Sequence, residues 1–330
     1  MKKFMKGCGI TALVLLVLGL IMAIVAGSMQ GRKTISDIVN SVTGGKVQIN
    51  LDGFKDFGIH IGEGIGDIVE GIGDGIHYDI DDNINMNFDN KYPIFSDVDN
   101  INEKFHGDDV KNLKIEAGGC EFKVLASEDE YFYLDGSKIG KMQCYVENGT
   151  LYIKSVLKTK GVFNSFNAAK LTLYVPANKT FDSLDVELGA GALELIPIEA
   201  KMVSLEVGAG EIIFSNLVTE DADMSVGMGS IVLKQFEAGK LNAEVGMGSL
   251  EASGDIRSNA NLECAMGSID LKLAGKETDF NYNFEGAMGS VTVGKSEYSG
   301  IAQERSVDND AAKDLELECS MGSITVKFTE

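Results

Sequence analysis

The sequence predicts an all-β protein, a parallel β-solenoid (β-helix) with coils of about 19 residues, preceded by one N-terminal transmembrane helix. Three observations predict it. A glycine–small–glycine phrase followed by an alternating apolar strand recurs seven times, its last glycines being Gly191, Gly210, Gly229, Gly248, Gly267, Gly289 and Gly322. Successive intervals are 19, 19, 19, 19, 22 and 33 residues, the mark of one unit stacked on copies of itself. Finally, Ile10 to Ala26 is an apolar run, with Thr11 and Gly19 its mild exceptions, behind Lys2, Lys3 and Lys6.

That run sets residues 1–28 apart. Its length is near the ~17–25 residues that cross a bilayer, and the lysines orient the amino end toward the cytoplasm. A cleaved signal peptide competes, because Ala23, Ala26 and Gly27 are small. The run exceeds the usual ~7–15-residue signal core, which favours a retained anchor. Both readings place the rest of the chain outside the cytoplasm, and the preferred location is the cell membrane, single-pass.

Residues 29–108 read as a linker rich in Gly/Ile and then Asp/Asn. Within 53–76, Ile61, Ile65, Ile68, Ile72 and Ile76 fall at helical spacing with acids between them. Each glycine there costs a helix roughly 0.8–1.0 kcal/mol relative to alanine. A flexible spacer is the preferred reading, an interfacial or packing helix the alternative. Asp79 to Asn90 suits a loop.

Residues 109–330 form the strand-repeat domain. Leu113 and Ile115 alternate with Lys114 and Glu116, and Phe122 and Val124 follow a Gly118-Gly119-Cys120 turn, a degenerate first copy of the repeat. Strands are expected at Tyr131–Leu134, Lys141–Val146, Leu151–Lys154 and Leu171–Val175, with a hairpin turn at Asn148-Gly149. In a regular copy, Leu205 and Val207 alternate with Glu206, a glycine corner turns the chain, and Ile212 and Phe214 follow. Glycine suits the corner by tolerating positive φ and close backbone approach. Nineteen residues cannot bury their own apolar face, so copies stack at ~4.8 Å around a continuous interior.

Stacking turns equivalent positions into ladders. An inward ladder is Leu188, Val207, Val226, Val245, Cys264, Gly286 and Cys319. Its two cysteines read as small buried hydrophobes. Stacked in sequence order they have one coil between them, ~10 Å, beyond disulfide reach, so no bond is expected. A Cys120–Cys144 bond is left open. A methionine row (Met228, Met247, Met266, Met288, Met321) reads chiefly as corner packing, alternatively as a soft-metal or adaptable surface. A serine row (Ser230, Ser249, Ser268, Ser290, Ser323) is expected to bond corner backbone groups or its neighbours. Glu187, Glu206, Glu244, Glu263, Glu285 and Glu318, with Ser225 between, form a solvent-facing strip whose repulsion a well-hydrated face tolerates; that is the preferred reading, and a linear cation-attracting strip the alternative. It lacks the corner aspartates of calcium-binding β-rolls.

A formal net charge of −21 argues against nucleic acid as partner and against broad docking onto anionic lipid. A cationic partner, metal ions or a basic peptide are compatible. The three histidines, His60, His77 and His106, precede the repeats. No nucleophile elbow, phosphate loop, zinc spacing or cofactor motif occurs, and the GxG phrases open no helix. No catalytic, cofactor-binding or metal residues are assigned.

The phrase Lys170-Leu-Thr-Leu-Tyr-Val-Pro-Ala-Asn178, followed by Ser183-Leu-Asp-Val-Glu-Leu-Gly-Ala-Gly191 and the iterated strand–glycine–strand units, resembles the bacterial putative-adhesin family of β-strand-repeat domains, a domain of unknown function. The resemblance covers roughly residues 108–330. The Gly-Met-Gly-Ser corners depart from it, since Asn, Asp or Ser is more usual there. It implies a non-enzymatic envelope protein acting in binding or scaffolding, with envelope proteins or surface polymers as partners. An accessory of an envelope-stress membrane complex is the alternative, and a carbohydrate-active β-helix enzyme the third class.

Overall fold

The computed structural model describes residues 47–50, 58–61, 88–156, 169–299 and 303–329. The chain divides into two units, Met1–Asn83 with Thr159–Asn164, and Ile84–Lys158 with Ser165–Glu330. In the first, β1 (Val47–Asn50) pairs antiparallel with β2 (Gly58–Ile61). Gly58–Ile61 is therefore strand, where neither a spacer nor a helix over 53–76 predicted one. Ile59 and Ile61 alternate with Gly58 and His60, and β-branched side chains favour the extended backbone. The rest of 53–76 and the expected membrane segment 1–28 lie outside the described residues. Among the described residues no helix is long and apolar enough to cross a membrane.

The second unit is all-β. Its strands are β3 (Phe95–His106), β4 (Asn112–Ala117), β5 (Cys120–Ser127), β6 (Tyr131–Glu147), β7 (Thr150–Val156), β8 (Lys170–Pro176), β9 (Thr180–Leu188) and β10 (Gly191–Leu195). They continue as β11 (Ile198–Val207), β12 (Glu211–Phe214), β13 (Leu217–Val226), β14 (Ser230–Val245), β15 (Ser249–Ile256), β16 (Asn259–Cys264), β17 (Ser268–Ala274) and β18 (Phe280–Gly286). The last are β19 (Ser290–Val293), β20 (Ser296–Ser299), β21 (Gln303–Val307), β22 (Lys313–Cys319) and β23 (Ser323–Thr329).

Two parallel ladders make a β-solenoid-like stack. Before the corner, the rungs run β7, β4, β9, β11, β13, β14, β16, β22, β18. After it, they run β8, β5, β10, β12, β14, β15, β17, β23, β19. β14 serves two levels, Ser230–Leu233 closing one coil and Phe236–Val245 opening the next. Regular coils pair at an offset of 19 residues, as Val207 opposite Val226 and Ile212 opposite Ile231 show. Apolar side chains alternate inward to form one core, with Phe122, Phe214, Phe280 and Phe284 among its largest members. Each such side chain contributes about 1.5–3 kcal/mol over its exposed state.

Stack order departs from sequence order at both ends. β22/β23 is threaded between β16/β17 and β18/β19, and β4/β5 between β7/β8 and β9/β10. The irregular intervals explain the first case. Between β17 and β18 the chain inserts a 3-10 turn, Glu277–Asp279, and climbs past one level. The 33-residue interval then holds β20 and β21, antiparallel to β19 and β18, before the chain returns to fill the vacant level. At the opposite end β6 runs antiparallel along β7 and β8, and β3 along β6. Terminal caps of this kind keep an open-ended stack from offering its last rung to another chain. β3 belongs to this unit, and its Asp and Asn residues disguise its alternation in the sequence.

Candidate binding surface

The corners set the geometry of everything beside them. Among the seven final glycines only Gly191 has positive φ, at 96°. Close approach explains the rest: a Cβ on Gly210 would meet the Gly191 carbonyl oxygen at 2.7 Å, and one on Gly289 the Gly322 oxygen at 2.8 Å. Of the two reasons that favour glycine, both apply at Gly191 and only the second at the other six corners. Below the corners lies the inward ladder, with Leu188, Val207, Val226, Val245, Cys264 and Cys319 all buried.

The rung order corrects the cysteine geometry. Cys264 and Cys319 are register partners on adjacent rungs, and Gly286 lies beyond Cys319. Both thiols are free, as are Cys120 and Cys144. A thiol–thiol hydrogen bond to Cys264, with burial, raises the Cys319 pKa, so that Cys319 stays protonated. Burial pushes Cys120 up to about 11 and Cys144 up to about 12, and Cys120 keeps a 4.0 Å contact to Ser155 Oγ. Cys319, Cys120 and Cys144 therefore act as buried apolar groups, whereas the hydrogen bond with Cys319 lowers the Cys264 pKa.

The acidic strip is longer than the repeats alone indicate. In stack order it runs Glu116, Glu187, Glu206, Ser225, Glu244, Glu263, Glu318, Glu285 and Glu304, each the register partner of the next. Glu285 and Glu318 thus exchange the places that sequence order gives them. Glu116 and Glu304 were missed because they lie outside the regular copies; the alternation at Lys114–Glu116 was the available signal for the first. At one end the strip is neutralised. Lys154 Nζ sits 3.1 Å from Glu116, and Lys114 Nζ sits 3.1 Å from Glu187 and 2.7 Å from Asp185. Burial alone would lower the Lys114 pKa, but its hydrogen bonds to Asp185 and Glu187 outweigh that and raise it. Farther along, Glu206, Glu244 and Glu285 project into solvent, and Glu263 accepts a 3.3 Å hydrogen bond from Asn261.

Beside this strip, two and four residues earlier on the same rungs, runs a polar field that the sequence reading also missed. It includes Asn242, Asn261 and Asn283 in one row and Asn259, Asp314 and Asn281 in the next. Recurrence of Asn at the repeat interval was its signal. Asn242 donates to Asp223 at 2.7 Å and Asn281 to Asp314 at 3.0 Å, both across one rung. These rows border an open groove of about 660 Å³.

The methionine row lies three residues after the glutamates. Its stack order is Met228, Met247, Met266, Met321, Met288, fixed by corner hydrogen bonds such as Met321 N–H to Ala265 O (2.7 Å) and Met288 N–H to Ser320 O (2.7 Å). Met228, Met247 and Met288 are 45%, 52% and 52% exposed, so corner packing does not account for them. In the serine row, backbone N–H groups donate to glycine carbonyls one level away, for example Ser249 to Gly229 at 3.0 Å. Of the histidines, His106 caps a short turn by accepting from Asp108 N–H at 3.3 Å, and the side chains of His60 and His77 lie outside the description. Among the described residues no group of three or more His, Cys, Asp or Glu is arranged to hold a metal ion.

A parallel stack with glycine corners and rows of solvent-facing side chains defines a β-solenoid-like protein. The chain belongs to the Toastrack DUF4097 family, whose model matches residues 110–224 and 190–327. Similar solved structures include a putative lipid binding protein from Parabacteroides distasonis, at 14% identity and TM-score 0.40, covering 70% of this chain and 98% of that one. A putative adhesin from Bacteroides fragilis aligns at 12% identity and TM-score 0.37, over 69% and 96%. A putative cell adhesion protein from Clostridium sporogenes aligns at 9% identity and TM-score 0.26, over 70% and 99%. No curated protein matches the chain.

Proposed function

We propose that this is a non-enzymatic cell-envelope protein, anchored in the membrane through residues 1–28, that presents its solenoid outside the cytoplasm to bind or scaffold an extended, positively charged partner. One observation carries the reading: the carboxylate row Glu244, Glu263, Glu318, Glu285 and Glu304 follows the stack rung by rung. Charges repeated at ~4.8 Å along a line suit a polymer or a basic protein segment better than a small substrate. Envelope proteins and surface polymers bearing ammonium groups fit that description. Pull-down from membranes with the full chain tests it. Capture is expected to weaken with salt and to fall at least tenfold in the E244Q/E263Q/E318Q variant; unchanged capture by that variant sinks the reading.

A second reading, an accessory of an envelope-stress membrane complex, draws on the pairing of β1 with β2 in a unit of its own near the expected anchor. Deleting residues 53–76 separates the two, since only the second requires that segment.

A further inference from the structure

The methionine row has the properties of a ligand set. Two coils carry Ala190 and Ala209 at the same corner position, so the corner closes without a thioether. Five consecutive rungs nevertheless place methionine there, three of them about half exposed. Leaving about half of a long apolar side chain exposed on successive rungs gives up much of the stabilisation that burying it would bring. The residues that flank each methionine are small and uncharged: Gly227, Gly246, Ala265, Ser320 and Ala287 before it, and a glycine and a serine after it. The charged side chain that does reach this corner is Glu211, the register partner of Ser230, at the Met228 end of the row; from Met247 onward the flanking residues carry no charge.

We propose that this row binds soft monovalent cations, Cu(I) or Ag(I), through the thioether sulfurs of neighbouring rungs. Thioethers select such ions over Zn²⁺, Ca²⁺ or Mg²⁺. Adjacent methionines start ~4.8 Å apart and have three rotatable side-chain bonds each, enough for sulfurs from three successive rungs to converge on one ion. Threading of β22/β23 completes the set, because it makes Met266 and Met321 neighbours and leaves no gap between Met247 and Met288. The strip Glu244, Glu263, Glu318 and Glu285 runs three residues upstream, within ~10 Å along the strand, and concentrates cations at the row without entering the coordination sphere.

The test is a competition titration of the full chain with the Cu(I)–bicinchoninate complex under anaerobic, reducing conditions. It is paired with Ag(I) titration followed through methionine ε-methyl NMR signals. The full chain is expected to withdraw Cu(I), and Ag(I) to shift the signals of Met228, Met247, Met266, Met321 and Met288 while leaving buried Met224 unmoved. M247L/M266L/M321L, which keeps side-chain volume and should melt within a few degrees of the parent, is expected to lose at least tenfold in affinity. C8S/C264A/C319A, which adds no volume beside the corner, is expected to retain it. Withdrawal by the methionine variant within twofold of the parent, or loss in the cysteine variant alone, would overturn the proposal, as would no withdrawal by the parent.

Discussion

At the β7/β8 end of the stack, the threaded coil β4/β5 is held by charges; at the β18/β19 end, the threaded coil β22/β23 is held by backbone contact, thiols and amides. Lys114, Glu116, Glu121 and Lys123 reach across both neighbouring levels to Lys154, Lys170, Asp185, Glu187 and Glu194. Tyr92, Tyr145 and Tyr152 stack over the same end at 3.8 and 4.8 Å. At the other end Cys319 lies against Cys264, a Cβ on Gly322 would meet the Cys264 sulfur at 2.6 Å, and Asn281 ties β18 to Asp314 and to the Ala311 carbonyl. The same topological problem, inserting a rung between two others, has two chemical solutions. The first rests on ion pairs, partly buried at Glu116 and exposed at Glu121, and responds to salt and pH; the second adds the ion pair of Lys313 with Asp255 at 3.0 Å to contacts that respond mainly to side-chain volume.

The largest test removes a threaded coil. A chain ending at Asp308 lacks β22 and β23, and with them the buried side chains Leu315, Leu317, Cys319, Ile324 and Val326. At about 1.5–3 kcal/mol each, the loss is on the order of 10 kcal/mol. Hydrogen exchange is expected to lose protection in β16 through β19 while β9 through β13 stay protected. Retained protection in β18 would show that the coil is not an internal rung.

Volume changes come next. Gly322→Val drives a side chain into the Gly267 carbonyl and the Cys264 sulfur, an overpacking cost of about 1–3 kcal/mol, read from the shift in urea midpoint. At the other end Cys120 already occupies the register position of a corner glycine, opposite Gly191. Cys120→Ala is therefore expected to cost less than Gly322→Val. Equal costs would erase the contrast between the ends.

Charge effects are smaller. Lys114→Met leaves Asp185, Glu187 and Glu116 facing one another, and is expected to destabilise by about 1 kcal/mol at low salt, less in ~1 M salt. A salt-independent loss would mean that Lys114 acts through packing. The smallest effect is on pH. Hydrogen bonds from Lys170, Tyr133, Lys91 and Lys201 hold the Glu121, Asp129, Glu147 and Asp182 carboxyls, respectively, below their ordinary values. Their folded pKa values lie under the unfolded ones, so their stabilisation is complete above ~pH 4–5 and disappears as pH falls through the lowered values. Acid should increase exchange in β5 through β9, which carry or adjoin these four carboxyls, before β16 through β18, which do not.

Much of this architecture was legible in the sequence. The 19-residue interval gives the coil, the alternation gives the inward ladder, and Asn148-Gly149 turns the chain with φ of 50° and 79° at the junction of β6 and β7. Rung order was not legible, because a repeat reports what stacks but not in which sequence. The 22- and 33-residue intervals were the trace of the detour, and their meaning depends on where β20 and β21 pair. The strip was legible as a row and misplaced at its last two members for that reason. The exposure of Met228, Met247 and Met288 was hidden by composition, since methionine reads as core.

Rung order also fixes which methionines and glutamates are neighbours, so it is the claim to test first. The direct measurement is a set of backbone NOEs on isotopically labelled protein, between the amide of Ser320 and the α-proton of Cys264, and between the amide of Ala287 and the α-proton of Cys319. Threading predicts both, because Ser320 N–H donates to Cys264 O at 2.9 Å and Ala287 N–H to Cys319 O at 3.0 Å. An NOE linking Ala287 to Cys264 instead, with none from Ser320 to Cys264, would restore stacking in sequence order and contradict the account.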